Sequence, residues 1–293
     1  MPRFAIATFC LALASFVHAG DSTTTSGSTA LNSTRFGPLN MLDHRSAYGQ
    51  GVFPEPFLID DSDLERGEFR VDWLHTKAGS SHSDSGKIEL EKGFGLVTLE
   101  LELPYERNVS PDGVTRGVGN VSVGARVPVF QYVSQGGFFD STTGVGLEVG
   151  IPTTSVVSKN TEIVPKIFND LRLGSHVTLQ TVLGYSALFG PGEDSGTHFF
   201  EYSGMLGYTI QHQELPIPGI RQLIPFFELK GEKQLNKADK GANTLLGDLG
   251  LRINLKAIGP VQPRIGAGWV FPLNQTTRDD VHSGVIVSMV FDF

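Results

Sequence analysis

The side chains that could do chemistry in this chain of 293 residues are carboxylates, a smaller set of basic groups and eight histidines. Many of the charged ones recur at every second position. Glu89 and Glu91 stand two apart in one apolar run, and Glu100 and Glu102 do so in the next. Arg126, Glu148, Glu228, Lys230, Asp248, Arg252 and Arg264 occupy similar places further on. A spacing of two puts each set on one face of an extended strand. Gathered round a shared interior, these groups would line a channel, and their acidic majority would favour cations in a low-dielectric passage. The same mixture could instead pair across strands and fill a narrow space.

Two further sets contain the residue types of a hydrolase triad. His75, Ser81, His82 and Asp84 form one, and Asp194 with His198 the other, but neither has a distinctive spacing. Solvated loop histidines account for them, so no catalytic residue is assigned and no enzyme is expected. Gly117-Val-Gly119 and Gly144-Val-Gly146 share glycines with phosphate-cradling loops but precede strands and lack the lysine. Relief of crowding in curved strands explains those glycines better. Asn32, Asn108, Asn120 and Asn274 start glycosylation sequons, a three-residue pattern that recurs by chance. The single cysteine, Cys10, lies in a leader and brings no disulfide, thiol chemistry or metal site. No cofactor or metal is expected.

The elements that must position these groups are strands. Residues 67–293 resolve into twelve segments of about 10 to 14 residues that alternate with period two and are separated by Gly, Pro, Asn and Asp clusters. The mostly polar stretches Lys77 to Gly86, Arg107 to Arg116, Thr153 to Thr161, Gly190 to Gly196, Lys233 to Gly241 and Leu273 to Asp280 read as the outer loops. In the last of them Val281, Val285, Val287, Met289, Phe291 and Phe293 share one face against His282, Gly284, Ser288 and Asp292. Aromatic residues divide into two groups near opposite strand ends: Tyr105, Tyr185, Phe189, Phe200, Tyr202, Trp269 and Phe271 at one, Phe139, Tyr208, Phe227, Phe291 and Phe293 at the other. Two aromatic belts around an aliphatic middle are what the two membrane interfaces favour, whereas a soluble core would hold its largest rings centrally. The expected fold is therefore an all-β transmembrane antiparallel barrel of about 12 strands.

Composition fits that reading. Charged residues are only 18% of the chain, mean hydropathy is −0.04, and Gly (35) and Phe (20) are abundant. A formal charge of −8 gives nucleic acid no electrostatic reason to bind. Residues 1–19 have the basic start, apolar stretch and small-residue end of a cleaved signal peptide. Residues 20–66 are rich in Ser, Thr, Asn, Pro and Asp and read as a periplasmic extension. Within it Val52 to Ile59 is apolar enough to dock, either as a plug at the barrel mouth or as a linker along the barrel end.

A leader followed by alternating strands and a terminal Val-Phe-Asp-Phe resembles outer-membrane barrels, whose last strand the barrel-assembly machinery reads; Met289, Phe291 and Phe293 match that signal. More narrowly, Gly117 to Arg126 (GVGNVSVGAR) and Gly144 to Thr153 (GVGLEVGIPT) resemble the paired motif of the transporter family labelled "MetA-pathway of phenol degradation", which is grouped with the functional-amyloid export pore. That family usually has Asp at the place of Asn120 and Gly at that of Thr154. The resemblance spans residues 67–293 and implies an outer-membrane channel for passive passage of small solutes, apolar or aromatic compounds among them. Partners implied are outer-membrane lipid, the assembly machinery and the solutes, with oligomerisation left open. A non-conducting structural or adhesive barrel, or a barrel-type membrane enzyme, are the alternatives.

Overall fold

The computed structural model describes residues 54–59, 67–94, 96–134 and 138–293. The expected signal peptide, Cys10 and most of the 20–66 extension lie outside the described residues.

The strands are β1 (Gly67–Ala78), β2 (Ser81–Phe94), β3 (Val97–Ser110), β4 (Gly113–Val118), β5 (Val121–Val133), β6 (Phe139–Ile151) and β7 (Thr161–Leu173). They continue with β8 (Val177–Phe189), β9 (His198–Tyr208), β10 (Ile210–Gln211), β11 (Ile220–Gln234), β12 (Asn243–Leu255), β13 (Gln262–Pro272) and β14 (Ser283–Asp292). One short helix, α1 (Gln275–Asp280), precedes β14. Neighbours pair antiparallel, and β1 pairs β14 from Glu68↔Asp292 to Lys77↔Ser283, so the sheet closes on itself. The loop-side half of β3 takes β4 and the other half β5, while β10 prolongs β9 along β11. Each of those two pairs of strands fills one wall position, and the result is a closed barrel of twelve strands. At the seam the Phe293 amide donates to the Gly67 carbonyl at 2.9 Å.

Burial runs opposite to that of a water-soluble protein. Along β14, Gly284, Ile286, Ser288, Val290 and Asp292 are buried, while Val285, Val287 and Met289 stay 45–48% exposed on the outer wall. Glu68, Arg70, Asp170, Glu228, Asp248, Arg252 and Arg264 are all at most 1% exposed. Charged groups almost never sit fully buried unless paired, and an apolar exterior over a charged interior is a membrane barrel's solution. Trp73, Tyr105, Tyr185, Phe200 and Trp269 lie on the outer wall toward the loop end, and Phe94, Phe130, Tyr132, Tyr208 and Phe293 toward the end where β1 begins and β14 finishes. They form two aromatic belts at the depths where amphipathic rings favour the lipid interface. Phe130 and Tyr132 join the lower belt because an irregularity between Pro128 and Phe130 shifts the β5–β6 register.

Two stretches expected as loops, Lys77 to Gly86 and Arg107 to Arg116, are strand instead. β1 and β2 run up to a turn at Gly79 (φ +58°) and Ser80, and β3 and β4 reach one at Pro111 and Asp112. Beyond the membrane both faces of a strand meet water, so the period-two signal fades although backbone pairing continues, as at Lys77↔His82 and Val109↔Val114. The expected loop Leu273 to Asp280 contains α1, whose N-cap Asn274 accepts a hydrogen bond from the Thr277 amide at 3.0 Å.

Candidate functional site in the barrel lumen

Alternation delivers the inward charges, and cross-strand register decides which of them meet. Lys87 on β2 lies 2.7 Å from Glu89 and 2.6 Å from Glu102 on β3. Arg126 on β5 pairs with Glu91 and stands 3.8 Å from Glu100. Arg70 contacts Asp72 at 2.6 Å, Lys166 pairs with Glu148, and Arg172 approaches Asp140 at 4.0 Å. The pairing alternative weighed from the sequence is thus physically present along much of the wall.

Residues Pro54–Ile59 lie inside this interior. The Arg264 guanidinium bridges Glu55 (2.5 Å) and Asp292 (2.7 Å). Arg70 donates to the Pro56 carbonyl at 2.6 Å and Arg252 to the Glu55 carbonyl at 2.8 Å. In the opposite sense, the two Glu228 oxygens accept from the Phe57 and Leu58 amides at 2.6 and 2.7 Å. The segment brings a strand's worth of backbone groups with no sheet partner, and charged wall residues supply the bonds that burial demands.

Apolar contacts complete the seat. Phe57 meets Phe226 edge to face at 4.7 Å, and the Arg252 guanidinium lies 4.4 Å from the Phe57 ring centre. Phe57 and Ile59 join Met205, Phe226, Val270 and Ile286 in one buried cluster. Gly266 is the wall's contribution to fit, since a Cβ there would come 2.5 Å from Phe57 Cζ.

Toward the loop end the lumen opens into a cavity of about 720 Å³. Glu102, Glu106, Glu148, Glu162, Glu201 and Glu232 line it together with Lys166 and Lys230, so its walls are mainly acidic. The structure thus divides the candidate lining residues. Glu89, Glu91, Glu100 and Arg126 belong to the paired wall; Glu102, Glu148 and Lys230 reach the cavity; Glu228, Arg252 and Arg264 hold the inserted segment. Asp248 is buried opposite Glu228 on the neighbouring strand. Met289, Phe291 and Phe293 sit on the outer parity of the closing strand, where Phe291 stacks on Phe69 at 6.3 Å.

Two carboxylate trios, Glu55–Glu68–Asp292 and Glu89–Glu91–Glu100, are close enough to share a cation. Each already contains an arginine partner, Arg264 or Arg126, that supplies the positive charge. The histidine sets do not assemble a triad: His75 bonds Asp84 at 2.8 Å on the outer surface, and His198 bonds the Tyr185 hydroxyl at 3.0 Å. Among the described residues no serine hydroxyl bonds a histidine.

Sequence reasoning missed the apolar residues on the inner wall. The signal was available where alternation fails, at the adjacent Phe226 and Phe227 and at Ile286 between Val285 and Val287. An inward ring needs an apolar neighbour, and the Phe-Leu-Ile run of the extension provides it.

No family profile and no curated relative matches the chain. Solved structures do. The COG4313 outer membrane channel from Pseudomonas putida F1 superposes with a TM-score of 0.54 at 16% identity, covering 80% of this chain and all of that one. The NanC porin (TM-score 0.48, 11% identity, 78% and 98% covered) and the KdgM porin in complex with disordered oligogalacturonate (0.41, 16%, 76% and 99%) resemble it more loosely. The likeness is one of fold: a closed antiparallel β-barrel of the outer-membrane kind.

Proposed function

We propose that the protein is an outer-membrane channel for passive passage of small solutes, apolar or aromatic compounds among them, whose lumen is closed in the described state by Pro54–Ile59. The observation that carries this reading is an acidic cavity of about 720 Å³ at the loop end, lying above a segment that is inserted into the barrel and is not one of its strands. A barrel serving only as a structural element would have no reason to keep such a cavity. A segment held by hydrogen bonds to wall charges can leave, whereas a strand of the closed sheet cannot. The Gly117–Arg126 and Gly144–Thr153 motifs favour kinship with the MetA-type transporters, and the chain is assigned no enzymatic role. The lining favours cations over anions. Reversal potentials of the purified protein in planar bilayers under a salt gradient test this: cation preference is expected, and anion preference or absence of conductance under every condition, including after removal of the extension, would overturn it.

A further inference from the structure

The outer wall carries a basic patch that the lumen does not use. Above the loop-end belt, where Trp73 and Tyr105 are each 46% exposed beside Val118, the next outward rung holds His75, Asp84, Arg107 and Arg116. Arg107 and Arg116 face each other directly across the β3–β4 pair. Like charges placed so are destabilising in a bare sheet. One acid answers them: Asp84 bonds Arg107 at 2.9 Å and His75 at 2.8 Å. The hydrogen bond from His75, seconded by that from Arg107, holds the Asp84 carboxyl below the usual carboxylate range, so it remains ionised and committed to that pair. Arg116 is exposed and, among the described residues, forms no ion pair. Lys77, also exposed, extends the patch one rung higher beside His82.

We infer that Arg107 and Arg116, with Lys77, bind a phosphate group on the headgroup of an outer-leaflet lipid. Three features point to that occupant. The patch stands one strand period, about 7 Å along the chain, above rings that mark the headgroup boundary, which is the depth of lipid phosphates. Opposed strands lie about 4.8 Å apart, so both guanidinium groups reach one phosphate, and their planar forks match its oxygens. The residues point away from the lumen, so a transported solute does not meet them. The inference rests on the outer-membrane placement proposed above but not on conduction.

Native mass spectrometry of the full chain in detergent, with lipid A added in its phosphorylated or its dephosphorylated form, tests it. The wild type is expected to retain phosphorylated lipid A, with bound fraction falling roughly tenfold in Arg107→Gln/Arg116→Gln and for the dephosphorylated lipid. Lys233→Gln, an exposed charge on β11, should leave binding unchanged, and heat-modifiable gel mobility verifies that each variant is folded. Equal retention by wild type and double variant, or of both lipid forms, overturns the site. Competition by inorganic phosphate alone at equal concentration would show recognition of the free ion and overturn the lipid assignment. Bilayer conductance of the same samples separates this outcome from the channel reading: lost lipid retention with unchanged conductance concerns the patch only.

Discussion

Glu55, from the segment before the first strand, is ion-paired at 2.5 Å with Arg264 on β13, and neither side chain is exposed to solvent. The same guanidinium holds Asp292 on the closing strand at 2.7 Å. One arginine therefore joins the inserted segment to the barrel seam. Breaking a buried pair from one side leaves an uncompensated charge, at a cost of about 3–5 kcal/mol. Arg264→Ala is predicted to destabilise the barrel and release the segment together, read as earlier loss of heat-modifiable mobility and more frequent channel opening. Glu55→Gln should release the segment with little effect on the barrel, because Asp292 still satisfies Arg264.

Glu228 offers one oxygen to each of two consecutive amides. Glutamine has one acceptor oxygen, so Glu228→Gln would turn its amide group toward a backbone donor. The expected loss is about 1–3 kcal/mol of seating energy, seen as raised open probability in single-channel traces and easier protease cleavage near residue 58. An unchanged trace would remove Glu228 from the latch.

Phe57 is the segment's apolar anchor. Truncating a buried phenylalanine costs about 3–5 kcal/mol, and here the barrel wall remains intact. Phe57→Ala should therefore raise conductance without lowering barrel stability in denaturant. A matched drop in stability would show that the ring belongs to the barrel core instead.

The acidic cavity makes a prediction that does not involve the segment. Glu106, Glu162 and Glu232 line it. Replacing all three by glutamine should shift the reversal potential toward the non-selective value while the pore remains conducting. No shift would place the selectivity elsewhere in the lumen.

Much of this architecture is legible in the sequence because a barrel with lipid outside and charges inside imposes alternation residue by residue. Val285, Val287 and Met289 against Ser288 and Asp292 already show it, and the belts follow from where Tyr105 and Trp269 fall along their strands. Alternation gives the parity of Glu89, Arg126 or Arg252 but not their partners, which depend on register between distant strands. It also fades above the membrane, where Lys77 and Arg116 are strand residues that read as loop. The inserted segment is harder still: Pro54 to Ile59 has no periodicity, and its seat is assembled from Arg70, Glu228, Arg252 and Arg264, up to 209 positions away in the chain. Only the inward Phe226, Val270 and Ile286, too apolar for a water-filled lumen, hinted that something would cover them.

If Pro54–Ile59 closes a channel, removing it opens one. Single-channel recording of the chain lacking residues 21–62, beside the full-length protein in the same bilayers, tests it most directly. The predicted result is a larger and more persistent conductance in the shortened protein, with cation preference retained. Equal conductance in the two proteins, or a folded shortened barrel that conducts nothing, would contradict it.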